Sequence, residues 1–262
     1  KGAVRHMIFG ATIASFGLNG ISQFAPPWFN RAFGLDYAQV GLIIGLAGGL
    51  SSGVGALAGG FISDRLSRRG AAWYALTPAL GLAIAAPLYA AVYLQASWQA
   101  AAALLMLPGL FLYTFLAPTF AVIQNSVEVR RRATATALMF FFLNLIAQGG
   151  GPPFVGALID HLGQVFFTRP DLHGPLQAFG ALLTGQGGGP DFAAACPGGR
   201  PAPGGAVSAA ACHAALTSGT QAGLLATLAF YLWAAVHFLI GAFGLSGTLA
   251  RARTGRSGSD PD

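Results

Sequence analysis

The sequence predicts an all-α membrane protein with six transmembrane helices, and three observations lead to that class. Only 8% of the 262 residues are charged, against about 25% in soluble domains, and the mean hydropathy is +0.61. The segment 70–127 holds no Asp, Glu, Lys or Arg, which leaves room for two spans of about 20 residues with a turn between them. Elsewhere Lys and Arg gather in short runs that punctuate the apolar stretches. Backbone amides cannot stay unpaired in lipid, so each apolar stretch has to be helical.

Taken in order, the spans are 6–29, 38–62, 73–94, 99–123, 134–159 and 220–245. The first carries a polar stripe of Thr12, Ser15, Asn19, Ser22 and Gln23 at helical spacing. In the second, Gly41, Gly45, Gly49 and Gly53 recur every fourth residue, followed by Gly55, Gly59 and Gly60. That spacing forms one smooth face on which a neighbouring backbone can come close, either as static packing or as a sliding surface. The third and fourth spans are the charge-free pair, broken by Pro78, Pro87, Pro108 and Pro118. The fifth contains Gly149-Gly150-Gly151-Pro152-Pro153, a point where the helix can bend. Residues 1–159 are thus expected to hold five helices and 220–246 the sixth, with 247–262 a cytoplasmic tail.

Orientation follows the placement of positive charge. Lys1, Arg5, Arg65, Arg68, Arg69, Arg130, Arg131, Arg132, Arg251, Arg253 and Arg256 fall on one side, and only Arg31, Arg169 and Arg200 on the other. Both termini are therefore expected in the cytoplasm, in a bacterial inner membrane. Residues 160–219 then form a long periplasmic loop rich in Gly, Pro and Ala. Cys196 and Cys212 lie in it, on the oxidising side, so they pair as a disulfide or remain two thiols of a flexible loop. The net charge of +6 does not point to nucleic acid, because the arginines sit in short loops rather than on one face. The chain starts without Met and is expected to be part of a longer protein.

Polar side chains in a membrane interior usually face a bundle interior or a cavity. Asn19, Gln23, Tyr113, Asn144 and Gln148 are the candidates to line such a cavity, with interhelical hydrogen bonding as the plainer alternative. His237 is the only ionisable candidate inside a span, and a packed position near Trp233 and Tyr231 is the simpler account of it. Metal-ligand spacings, a phosphate loop and a nucleophile with its base are all missing, so no cofactor, no metal and no enzymatic role are expected.

The run Gly60-Phe61-Ile62-Ser63-Asp64-Arg65-Leu66-Ser67-Arg68-Arg69 resembles the cytoplasmic-loop signature of the major facilitator superfamily, Gly-x-Leu-x-Asp-Arg-x-Gly-Arg-Arg/Lys. It departs from it in Ile62 and Ser67. A second likeness, from Arg131-Arg132-Ala133-Thr134 through Asn144, Gly151-Pro152 and Gly156 to Asp160, is similar to helix eleven of spinster-like members. The resemblance implies the C-terminal six-helix half of a twelve-helix transporter, built of two inverted three-helix repeats. It implies a gating role for Gly60, Asp64, Arg65, Arg68 and Arg69, with Asp64 facing the helix N-terminus near Ala133. The implied partners are the lipid bilayer, an N-terminal six-helix half or a second copy, and a small-molecule substrate. The rival expectation is a six-helix accessory subunit that pairs through its glycine face.

Overall fold

The computed structural model describes residues 2–172 and 174–257; beyond residue 245 only Gly247 is described with more than its backbone. Lys1 and the side chains of Arg251, Arg253 and Arg256, which count towards the charge asymmetry, lie outside the described residues, as does the end of the tail, 258–262. The described residues form helices and turns, with no strand among them. The long helices are α1 (Gly2–Phe33), α2 (Tyr37–Ser67), α3 (Trp73–Tyr93) and α4 (Trp98–Leu112), the last continued by α5 (Leu116–Asn125). They are followed by α6 (Arg132–Phe142), α7 (Gly149–Thr168), the short α8 (Pro175–Leu183) and α9 (Phe192–Ala195), α10 (Ala209–Thr227) and α11 (Ala229–Ser257).

Among the described residues, five stretches are long and apolar enough to cross a membrane: Tyr37–Ser67, Trp73–Tyr93, Trp98–Asn125, Val129–Thr168 and Ala209–Leu245. The sixth expected span, α1, has the length at 32 residues but is not among the five. Its polar stripe lowers its mean apolarity. The helix at 129–168 runs well past the expected end at 159, and α10 begins at Ala209 rather than near 220. Polar Asp160, His161 and Gln164 read as loop in the sequence. The helix carries them on while its other face buries Leu162, Val165 and Phe166.

Local chemistry accounts for the breaks. Asp36 and Gln39 form a reciprocal cap at the start of α2, with Gln39 N–H donating to Asp36 Oδ1 at 2.8 Å and Asp36 N–H to Gln39 Oε1 at 3.3 Å. Gly34 takes φ +67° in the turn before it. Pro118 has no N–H and crowds the carbonyl of Thr114, and the chain tightens to a 3-10 turn at Tyr113–Phe115. Pro152 and Pro153 act likewise on Gln148 and Gly149, and the six residues Leu143–Gln148 just before them widen into a π-helix. Gly149 N–H reaches back to the Asn144 carbonyl, five residues away.

The chain divides into two compact units. The first comprises Lys1–Gly17, Ile43–Gly150 and Leu228–Asp262. Its centre is the long seam of α3 against α11, with α3 also lying on α4, and it buries Tyr93, Phe115, Phe238, Leu82 and Leu112 completely. The second comprises Leu18–Leu42 and Gly151–Thr227, with a core of Leu162, Val165, Phe166, Phe192, Cys196 and Cys212. Its α7 and α10 touch backbone to backbone, since a Cβ on Gly219 would fall 2.7 Å from Gly163 Cα. A disulfide joins Cys196 to Cys212 and ties the end of α9 to α10. The bond spans 16 residues of sequence, a closure worth roughly 3 kcal/mol in the chain-entropy model. Cys196→Ser is expected to lower the thermal midpoint of the full protein and to leave Cys212 as an alkylatable thiol. Unfolding followed by circular dichroism, with mass spectrometry after alkylation, checks both.

Candidate functional site

The charged signature closes α2. Ser63 is fully buried, whereas Asp64 and Arg65 are exposed on another face of the same helical turn and Arg68 and Arg69 are exposed just past the helix end. The Asp64 carboxylate accepts a hydrogen bond from the Tyr74 hydroxyl at 2.8 Å. The Ser67 hydroxyl donates to the Asp64 carbonyl at 2.7 Å. The loop is thus folded back onto the first turn of α3. Among the described residues this tyrosine is the carboxylate's hydrogen-bond partner. Arg65, Arg68 and Arg69 form no ion pair with the described residues, so three charges are free to meet another surface.

The glycine face of α2 splits in two. Gly55 and Gly59 lie against the α4 backbone and the turn after it: a Cβ would come within 2.5 Å of the Leu110 and Thr114 carbonyl oxygens respectively. Gly60 is looser, 3.3 Å from Ala117 Cβ. Gly41, Gly45, Gly49 and Gly53 face open space, flanked by exposed Leu42, Leu46 and Leu50. In keeping with this, 22% of the most apolar window of α2 is buried and 11% of that in 129–168, against 56% in α3. Two spans therefore leave broad apolar faces uncovered.

Tyr113, Asn144 and Gln148 belong to the first unit. Tyr113 is half-buried at the 3-10 turn, while Asn144 and Gln148 are exposed on the π-helical stretch. The Asn144 amide donates to the Phe140 carbonyl at 2.7 Å. π-turns inside α-helices frequently mark functional sites, so two expected cavity residues share an irregular, exposed segment. Asn19 and Gln23 belong to the second unit, Asn19 half-buried and Gln23 exposed. Higher on the same stripe Thr12 and Ser15 are buried, and the Thr12 hydroxyl donates to its own helix at Ile8.

His237 is not the isolated histidine that the sequence suggests. Its Nδ1 lies 3.1 Å from Nδ1 of His6, with the rings of Phe9 and Trp233 beside it. Two such nitrogens bond only when one carries a proton and the other does not, so one ring donates and the other accepts across the contact of α1 with α11. The separation of 231 residues hides this contact from sequence reasoning.

Helices with an exposed charged signature at one end, uncovered apolar faces and irregular polar turns define one half of a polytopic helical bundle. Residues 7–184 match the family model of the Major Facilitator Superfamily, and the chain belongs to that superfamily. An MFS-type efflux pump of Mycolicibacterium smegmatis is 30% identical over 156 residues, covering 60% of this chain and 36% of the pump. Crystal structures of a bacterial homologue of the human lysosomal transporter Spinster share the fold. The inward-facing occupied form superposes with a TM-score of 0.72 at 24% identity, covering 96% of this chain and 50% of that one. The inward-facing unoccupied form gives 0.73 at 24% identity, covering 96% and 49%. The chain thus spans about half the length of those structures and a smaller share of the pump.

Proposed function

We propose that the complete protein is a secondary transporter moving a small organic solute or lipid by alternating access, without covalent chemistry, and that this chain is its C-terminal six-helix half. The observation that carries the reading is the signature Gly60 to Arg69, its charges exposed at the end of a helix whose N-terminal glycines Gly41, Gly45, Gly49 and Gly53 meet nothing among the described residues. An N-terminal half covering α2 and the 129–168 helix would bury those faces and meet Arg65, Arg68 and Arg69. Breaking that contact opens the cytoplasmic side, and the excess of Lys and Arg on the side of the signature supports both termini lying in the cytoplasm of a bacterial inner-membrane protein.

The test is uptake and efflux by the full protein in proteoliposomes, across a metabolite and lysolipid panel, with and without a pH gradient. Saturable movement of one class is expected. Movement of none above empty liposomes overturns the reading. In the same assay Asn144→Leu and Gln148→Leu are each expected to raise the KM about fivefold to fiftyfold, the loss of one hydrogen bond to substrate. An unchanged KM in both removes these residues from the substrate path.

A further inference from the structure

The second unit carries an open cavity of about 690 Å³ that none of the residues discussed so far as signature or stripe accounts for. Volumes of a few hundred to a thousand Å³ suit small ligands. Four apolar side chains wall it: Phe24 of α1, Ile159 of α7, Phe192 of α9 and Leu216 of α10. Gly156 keeps the α7 wall open, since a Cβ there would come within 3.1 Å of Phe24 Cζ. Phe192 is held from two sides. Its backbone N–H donates to Gln164 Oε1 at 2.6 Å, and the Cys196–Cys212 disulfide anchors the other end of its short helix. The wall is therefore built before any ligand arrives, which reduces the ordering cost of binding.

The charges in this cavity are unusual for a packing defect. Arg31 is half-buried, its Nη1 donates to the Thr220 hydroxyl at 3.3 Å, and among the described residues it makes no salt bridge. Burial lowers its pKa from the ordinary value, with Tyr37 acting in the opposite sense, so the cation carries an unmet electrostatic demand. A guanidinium offers five N–H donors, and one bond within the protein leaves most of them over. Asp160 and Asp191 also line the cavity, both exposed, and Asp191 is fixed in place by accepting the Ala193 N–H at 2.9 Å. His161 Nδ1 donates to the Ala157 carbonyl, which leaves Nε2 as an acceptor in the neutral ring.

We propose that this cavity binds a small amphipathic zwitterion, its acid group on Arg31, its ammonium near Asp160 and Asp191, and its apolar body between Phe24 and Phe192. A plain cation leaves Arg31 without a counter-charge and is repelled by it. A plain anion meets two carboxylates. A zwitterion answers both, and the aromatic walls favour the side of a hydrocarbon or ring. Free amino-acid-like solutes and zwitterionic lipid headgroups share this chemistry.

Equilibrium binding to the full protein in nanodiscs tests it, with radiolabelled leucyl-phenylalanine and octylphosphocholine as the two probes. The uncharged N-acetyl-leucyl-phenylalanine amide serves as control. Saturable binding of at least one zwitterion is expected, weakened roughly tenfold or more by Arg31→Gln and by blocking both charges. Ala193→Trp, which fills the cavity from an exposed position, is expected to remove binding while the disulfide and thermal midpoint stay as in the parent. Dipeptide binding identifies a free solute; binding of octylphosphocholine alone identifies a lipid headgroup. Binding of neither probe below about 1 mM overturns the proposal. So does equal binding of the blocked dipeptide, or binding unaltered in Ala193→Trp, which also decides the matter should Arg31→Gln not fold. Binding is read without transport, so a negative result leaves the transporter reading standing.

Discussion

Asp64→Asn is expected to reduce transport by the full protein roughly tenfold or more, the scale on which coupling between conformational states acts, while expression and membrane insertion stay unchanged. The carboxylate is exposed at the end of α2 and its hydrogen bond to Tyr74 holds the loop against α3. The amide can keep the tyrosine bond through its remaining oxygen, so the loop's fold survives the change. What it loses is the charge, and with it any pairing to a helix N-terminus or cation of the opposite half. Tyr74→Phe makes the complementary change, removing the bond and keeping the charge, and is expected to have the smaller effect. Initial uptake rates in proteoliposomes at matched protein content separate the two. Full activity in Asp64→Asn rules out the gating role and leaves the loop a marker of orientation only.

Gly59→Ala is expected to destabilise the protein by about 1–3 kcal/mol, the usual cost of overpacking a close contact. Its new Cβ would come within 2.5 Å of the Thr114 Cα and carbonyl oxygen, and backbone atoms cannot swing aside as a side-chain tip does. Gly49→Ala meets nothing within 4 Å. It is expected to leave the unfolding midpoint of the helices within a few tenths of a kcal/mol, or to raise it through the better helix propensity of Ala. If Gly49 lies on a seam with another six-helix half, the same change slows transport without costing stability. Thermal unfolding in detergent, set beside transport rates, reads both quantities. Equal destabilisation by the two substitutions contradicts the division of the glycine face.

Much of the helical framework was legible because its causes are local. A charge-free segment has to hide in lipid and a dense run of Asp and Arg has to reach water, which marks an exposed helix boundary near 64–69, although α2 continues to Ser67 and carries Asp64 and Arg65 as helix rather than loop. The likeness of that run to its superfamily signature agrees with the family match over residues 7–184. Of the prolines named as breakers, Pro118 and the Pro152-Pro153 pair follow changes of helix type at 113–115 and 143–148, whereas Pro78 and Pro87 lie inside the unbroken α3 and Pro108 inside α4. Two local readings needed amending for a tertiary reason. The helix after residue 159 continues because Gly163 and Ile159 have α10 to lean on, a support that composition does not display. The even glycine stripe hid the difference between Gly59, pressed on a neighbouring backbone, and Gly49, facing nothing.

The sequence by itself determined a membrane protein of long helices, the water-facing position of its charged signature, and the superfamily that signature belongs to. Periodicity, desolvation cost and a motif contained in ten residues are properties of short stretches, and they need no partner to be read. Only the tertiary structure decided that Cys196 joins Cys212, that His6 meets His237, and that Arg31 shares a cavity with Asp160 and Phe192. Each of these brings together residues distant in the chain. Such meetings depend on which helix faces pack together, and that choice is made by the summed burial of whole helices rather than by any one segment.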